Sequence, residues 1–176
     1  MMGAGKSAVG AILHNRTGLD CIDLDQLAEV RAGMTIAEIF ARFGEKNFRD
    51  LETLLLANLP SDKPAIVITG GGVVLREENR ARLRRLGQIV WLDADEAVLF
   101  ERAMRHSENV RDLSGGITNR KTRPLLQSDD PRRRFSEIYR ARQPVYAELA
   151  DVRIDTSRLA PDEIAGEILV KMKSSE

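Results

Sequence analysis

Short apolar runs alternate along this chain with longer stretches whose apolar residues recur at helical spacing. Cys21-Ile22, Ala65 to Thr69 (AIVIT), Gln88 to Leu92 (QIVWL) and Val152 to Asp155 (VRID) read as strands. Helices are expected after Lys6, Asp25, Thr35, Glu45, Arg76, Asp95, Pro131 and Pro161. Alternation of this kind predicts an α/β fold, a parallel sheet covered by helices. Thr35-Ile36-Ala37-Glu38 has the form of a capping box, in which Thr35 accepts from a first-turn amide and Glu38 reaches back. Pro161 suits a first helical position.

Between Arg105 and Asp130 the pattern lapses into Ser, Gly, Asn, Asp and Lys/Arg, with Ser114-Gly115-Gly116 near its middle. A loop of that length inside a compact domain is functional or disordered. With no internal repeat, a single domain over residues 1–176 is expected, in which about 107–130 form a lid.

Composition narrows the classes. The 43% of hydrophobic residues is enough for a core without disulfide or metal staples at 176 residues. The 27 basic and 27 acidic residues cancel, so no bulk field draws the chain to nucleic acid or anionic lipid. Cys21 has no internal partner, and no run approaches the ~20 apolar residues that span a bilayer. No signal-peptide pattern is present, and a cytoplasmic protein with neither nucleic-acid nor membrane partners is expected.

The chemistry begins at Gly3-Ala4-Gly5-Lys6-Ser7, the second half of a phosphate-binding P-loop. The full pattern, Gly, four residues, then Gly-Lys-Ser/Thr, would place its first glycine one position before Met1. An apolar strand ending in glycine is therefore expected just upstream in the reading frame, and the 176 residues alone are expected to be poorly soluble or inactive. In such a loop small residues let backbone amides approach an anion, and the following helix offers its positive end. Gly3, Ala4, Gly5, Lys6, Ser7 and Ala8 thus form the expected ATP site, with Lys6 reaching the β- and γ-phosphates and Ser7 ligating magnesium. The plainer alternative is a glycine turn capping a helix.

Four further groups stand out. Asp23 and Asp25 sit at the end of the first visible strand, where residues two apart point the same way and can face the ligand crevice of an open α/β sheet. One could hold magnesium through water and the other accept a substrate hydroxyl, although an aspartate ending a strand also serves as a helix N-cap. Arg49 has Glu45 and Glu52 as its i−4 and i+3 neighbours, which permits either a surface salt bridge or a bidentate grip on a substrate carboxylate. Gly70-Gly71-Gly72 follows a strand directly and lets a ligand lie against backbone. Arg120, Lys121 and Arg123 place cations on the lid, where closure could bring Arg123 onto the transferring phosphate. Arg142 is ambiguous between surface and site, and Tyr146 reads as core rather than ligand.

Met2-Gly3-Ala4-Gly5-Lys6-Ser7, Asp23-Leu24-Asp25, Phe48-Arg49, Thr69-Gly70-Gly71-Gly72, Arg123-Pro124-Leu125-Leu126 and Arg142-Gln143-Pro144-Val145-Tyr146, in this order, resemble shikimate kinase from Met2 to about Pro161. The resemblance implies a P-loop kinase of the nucleoside-monophosphate-kinase type: a three-layer α/β/α sandwich with a parallel sheet in the order 2-3-1-4-5 and a lid. It implies phosphorylation of the 3-hydroxyl of shikimate by ATP with Mg2+, a step toward chorismate and the aromatic amino acids. By the same resemblance Lys6, Asp25 and Arg123 are catalytic, with Asp25 also holding shikimate hydroxyls. Arg49 and Arg142 hold the carboxylate, Gly71 meets the ring with Gly72 also binding the substrate, and Ser7, with Asp23 through water, serves the metal.

Three departures from the family pattern are visible. Its first strand and first P-loop glycine have no counterpart here, and Thr118 to Thr122 are extra before Arg123. Arg158 is the nearby candidate for the adenine-side cation. ATP and shikimate are the expected partners of a monomer. The alternatives are another small-molecule P-loop kinase, such as a gluconate kinase, and an inactive nucleotide-binding relic.

Overall fold

The computed structural model describes residues 1–108, 124–126 and 128–173, within which seven helices and four strands alternate. In chain order they are α1 (Lys6–Thr17), β1 (Asp20–Asp23), α2 (Leu24–Ala32), α3 (Ile36–Ala57), β2 (Ala65–Ile68), α4 (Glu77–Leu86), β3 (Val90–Asp93), α5 (Glu96–Glu108), α6 (Pro131–Leu149), β4 (Val152–Asp155) and α7 (Pro161–Lys173). Single 3-10 turns cover Val73–Leu75 and Pro124–Leu126.

The boundaries have local causes. Gly18 ends α1 in the left-handed region, at φ 72°, and β1 follows at once. The capping box is formed: Glu38 Oε2 accepts from the Thr35 amide at 2.8 Å, and Thr35 Oγ1 accepts from the Glu38 amide at 3.2 Å. Asp130 caps α6 through the Arg133 amide at 2.9 Å, and Pro131 occupies its first turn. The helices expected after Thr35 and Glu45 run on as α3, but Gly44, at φ 78° and ψ 169°, breaks the helical path between them.

The strands pair in parallel, β1 with β2 from Asp20↔Ala65 to Asp23↔Ile68, and β3 with β4 from Val90↔Val152 to Asp93↔Asp155. Among the described residues these are two separate two-stranded sheets, and no ladder joins β2 to β3. They are the outer pairs, 2-3 and 4-5, of the order expected from the family. One hydrophobic core nevertheless runs beneath both, from Met1, Val9 and Leu13 through Leu24 and Leu56 to Trp91, Phe135, Tyr146, Ile154 and Ile164. A satellite of Ala28, Ile39 and Phe48 lies between α2 and α3. No described helix is long and apolar enough to cross a membrane. The carboxyl ends Asp23, Ile68, Asp93 and Asp155 lead into the loops that carry the polar residues, the usual ligand side of an open α/β sheet.

Candidate functional site

Gly3 and Gly5 both adopt positive φ, 77° and 80°, a conformation that side chains disfavour. A Cβ on Gly3 would also run into the carbonyl oxygen of Leu99, so the loop lies directly against α5. Gly5 is the N-cap of α1 and supplies no capping side chain, which leaves the first-turn amides of Ser7 and Ala8 without a side-chain cap, the state that suits anion binding at a helix start. Lys6 Nζ donates to the Met1 carbonyl at 2.9 Å, holding the ammonium over the loop. Ser7 Oγ donates to Asp23 Oδ2 at 3.1 Å.

Asp23 serves both functions that its position allowed. Its Oδ1 accepts from the amides of Asp25 at 3.0 Å and Gln26 at 3.5 Å, capping α2, while Oδ2 faces Ser7. That cap corrects the expected geometry of Asp25. The strand stops at Asp23, and Asp25 is the second residue of a helix, so the two carboxylates do not share a strand face. Asp25 is instead turned toward the loop after β2: a Cβ on Gly70 would lie 2.7 Å from Asp25 Oδ1 and 2.7 Å from Glu52 Oε1.

The three glycines make room for protein side chains, one neighbourhood each. Gly70 faces Asp25 and Glu52, Gly71 faces Tyr146 and Arg142, and Gly72 faces the guanidinium of Arg49. Any side chain in this loop would displace a polar group. The expectation of backbone laid bare thus acquires a first occupant in the protein itself.

Arg49 is 9% exposed. Its Nε and Nη2 donate to Glu45 Oε1 at 3.2 and 2.9 Å, Nη1 pairs with Glu52, and the group stacks on the Phe48 ring with 5.2 Å to its centroid. Burial alone would lower its pKa, but Glu52 and Glu45 together raise it. The surface salt bridge is therefore excluded as the whole account: Glu52 is 1% exposed, and burial pushes its carboxyl above the ordinary glutamate range against the opposing pull of Arg49. Among the described residues its Oε1 has no hydrogen-bond partner, and it lies at the glycine loop beside Asp25. Arg142, on α6, is 5% exposed and lies against Gly71. Tyr146, one turn on, is buried as expected, yet its hydroxyl donates to the Gly71 carbonyl at 2.6 Å.

Several polar residues at the loops carry no motif in the sequence. Glu52 entered only as a neighbour of Arg49, and its burial depends on a glycine loop far along the chain. Arg102 belongs to no motif: its Nη1 donates to Thr156 Oγ1 at 3.2 Å and its Nη2 to the Thr156 carbonyl at 2.9 Å, clasping the loop between β4 and α7. Arg158 is exposed on that same loop. Arg123, with Arg120, Lys121, Thr118 to Thr122 and most of the expected lid, lies outside the described residues.

A family model described as shikimate kinase matches residues 2–173. The shikimate kinase of Thermodesulfovibrio yellowstonii is 42% identical over 168 residues, covering 96% of this chain and 88% of that protein. That of Symbiobacterium thermophilum is 40% identical over 173 residues, covering 98% and 92%. Among solved structures, the shikimate kinase from Acinetobacter baumannii in complex with shikimate matches with a TM-score of 0.87 at 32% identity, over 99% of this chain and 90% of that one. The Aquifex aeolicus shikimate kinase matches at 0.77 and 29%, over 99% and 94%. With the family model spanning nearly all of it and such relatives covered over most of their length, the chain belongs to the shikimate kinase family.

Proposed function

We propose that this chain transfers the γ-phosphoryl group of ATP to the 3-hydroxyl of shikimate, giving shikimate 3-phosphate for chorismate and aromatic amino acid synthesis. One observation carries the reading beyond family membership: two buried guanidinium groups, from α3 and α6, meet adjacent glycines of one loop beside the Asp25 carboxylate. Two cations there suit a small carboxylic acid, and the neighbouring acid suits its hydroxyls.

In this reading Arg49 and Arg142 hold the substrate carboxylate, Asp25 orients or deprotonates the attacking hydroxyl, and Gly71 and Gly72 meet the ring. The P-loop residues Gly3 to Ala8 cradle the phosphates, and Lys6, joined by Arg123 from the segment 107–130, neutralises charge on them. Arg158 stands on the adenine side. Phosphoryl transfer asks little covalent chemistry of the protein, so positioning and charge account for the rate. Ser7 Oγ in the first turn of α1 and Asp23 Oδ2 at the end of β1, 3.1 Å apart, are the hard oxygen donors that Mg2+ accepts, Asp23 through water, with few protein ligands needed beside phosphate. Bound there, Mg2+ would offset the negative charge of the phosphates.

The enzyme would act in the cytoplasm as a monomer. A coupled assay for ADP release is the test: turnover with shikimate is expected. Turnover with gluconate or a nucleoside monophosphate but not with shikimate would overturn the assignment, and no turnover with any acceptor would favour the relic.

A further inference from the structure

We propose that Tyr146 is a positioning residue for the acid-binding half of the site, its hydroxyl fixing the Gly71 carbonyl and the neighbouring Arg142 guanidinium where the substrate carboxylate is received. The proposal rests on the shikimate reading above.

The glycine loop has no side chains with which to hold itself, and glycine is the residue with most backbone freedom to lose. Its carbonyls must therefore be tied from outside. Gly70 O accepts from the Val73 amide at 3.2 Å and Gly72 O from the Leu75 amide at 3.1 Å, both donors lying in the following 3-10 turn. The middle carbonyl, Gly71 O, is taken by Tyr146 Oη at 2.6 Å. That short bond completes the set.

The same hydroxyl borders Arg142. A Cβ on Gly71 would meet Tyr146 Oη at 3.1 Å and Arg142 Nη1 at 3.4 Å, so both groups close over one glycine. Arg142 and Tyr146 are four residues apart on α6 and share its inward face. A second tie lies on the other side of Arg142, where Tyr139 Oη donates to Asp93 Oδ1 at the end of β3 at 3.4 Å. A tyrosine needed for packing alone could be phenylalanine, because the ring already lies 5.8 Å from Trp91. The hydroxyl is what the loop requires.

Tyr146→Phe tests this with packing retained. The KM for shikimate is expected to rise about tenfold, the scale of one buried hydrogen bond, with kcat and the KM for ATP within about twofold of wild type. Amide exchange across residues 70–73 should quicken at the same time. An unchanged shikimate KM overturns the proposal, as does an equal rise in both KM values. Trp91, the single tryptophan, reports folding at the ring itself; a variant too unstable to assay assigns the hydroxyl to the fold and overturns the proposal too. A wild-type protein that does not use shikimate removes this proposal along with the reading it rests on, whereas wild-type turnover matched by the variant removes this proposal alone.

Discussion

The guanidinium of Arg49 occupies the volume in which a side chain at Gly72 would begin. Gly72 has φ −95° and ψ −10°, values open to any residue, so its need for glycine is steric and not conformational. Gly72→Ala would drive the new methyl into a group already held by Glu45 and Glu52. Overpacking of this kind costs about 1–3 kcal/mol, or roughly five- to 150-fold in the KM for shikimate if Arg49 is what moves. ATP binding should stay level. A titration showing equal losses for the two substrates would mean that the loop as a whole had shifted.

Arg142→Ala and Arg49→Ala should separate. Both are expected to weaken shikimate by about 2–5 kcal/mol and to leave ATP affinity nearly intact. Only Arg49→Ala should also cost about 3–5 kcal/mol of stability, since it strips the buried Glu52 carboxylate of its cation. Calorimetry with each substrate, alongside thermal melts, tests both halves; equal melting temperatures for the two variants would contradict the role given to Glu52.

Glu52 also sets a pH dependence. Burial, only partly offset by Arg49, raises its pKa from 4.5, so between that value and its folded value the native state binds the proton more tightly than the unfolded chain. Its contribution is complete below 4.5 and falls as pH rises through that window. Glu38, Asp50 and Asp155 have lowered values, Glu38 through the Thr35 amide, Asp50 through Arg76 and Asp155 through Ser157; what they add is present at neutral pH and lost toward acid. Glu52→Gln should therefore flatten the decline of melting temperature above mildly acidic pH and leave the acid limb as it is. Parallel curves for wild type and variant would remove Glu52 from this account.

Asp23 divides its two oxygens between a helix and a hydroxyl, and substitutions can divide them too. Asp23→Asn keeps a carbonyl acceptor for the α2 cap, so stability should move by a few tenths of a kcal/mol at about the level of Asn-for-Asp exchange at an N-cap. Its demand for Mg2+ should rise about tenfold through the lost charge. Asp23→Ala should add about 1 kcal/mol of destabilisation from the missing cap. Activity measured against magnesium concentration checks the first claim, and an unaltered requirement in both variants would place the metal elsewhere.

Sequence patterns located the elements well where the signal is local. VRID is β4 residue for residue, and the starts at Thr35, Pro131 and Pro161 follow from capping chemistry that needs no tertiary context. The motifs also named the polar groups that meet at the glycine loop: Asp25, Arg49 and Arg142 do so. What failed was inference across a boundary. A two-residue spacing looks alike on a strand and across a strand-to-helix junction, and only the cap made by Asp23 reveals that Asp25 lies beyond the turn. The burial of Glu52 and the bond from Tyr146 are set by Gly70 and Gly71, residues with no side chain to announce the contact. Arg102 resembles any surface arginine of an amphipathic helix until the loop at Thr156 closes over it.

The mounting of Arg49 and Arg142 on two separate helices gives the substrate a mechanical part. Arg49 belongs to the helix that leads into β2, and Arg142 to the helix that leads into β4, so the two cations are mounted on different elements of one core. A carboxylate gripped by both would act as a rivet across them, alongside the tyrosine ties from α6. Occupancy should then stiffen the junction as well as fill a pocket, and at a hundredfold excess over its Kd the ligand would add ~2.7 kcal/mol against unfolding. An acid that reached only one of the arginines would leave the two helices untied.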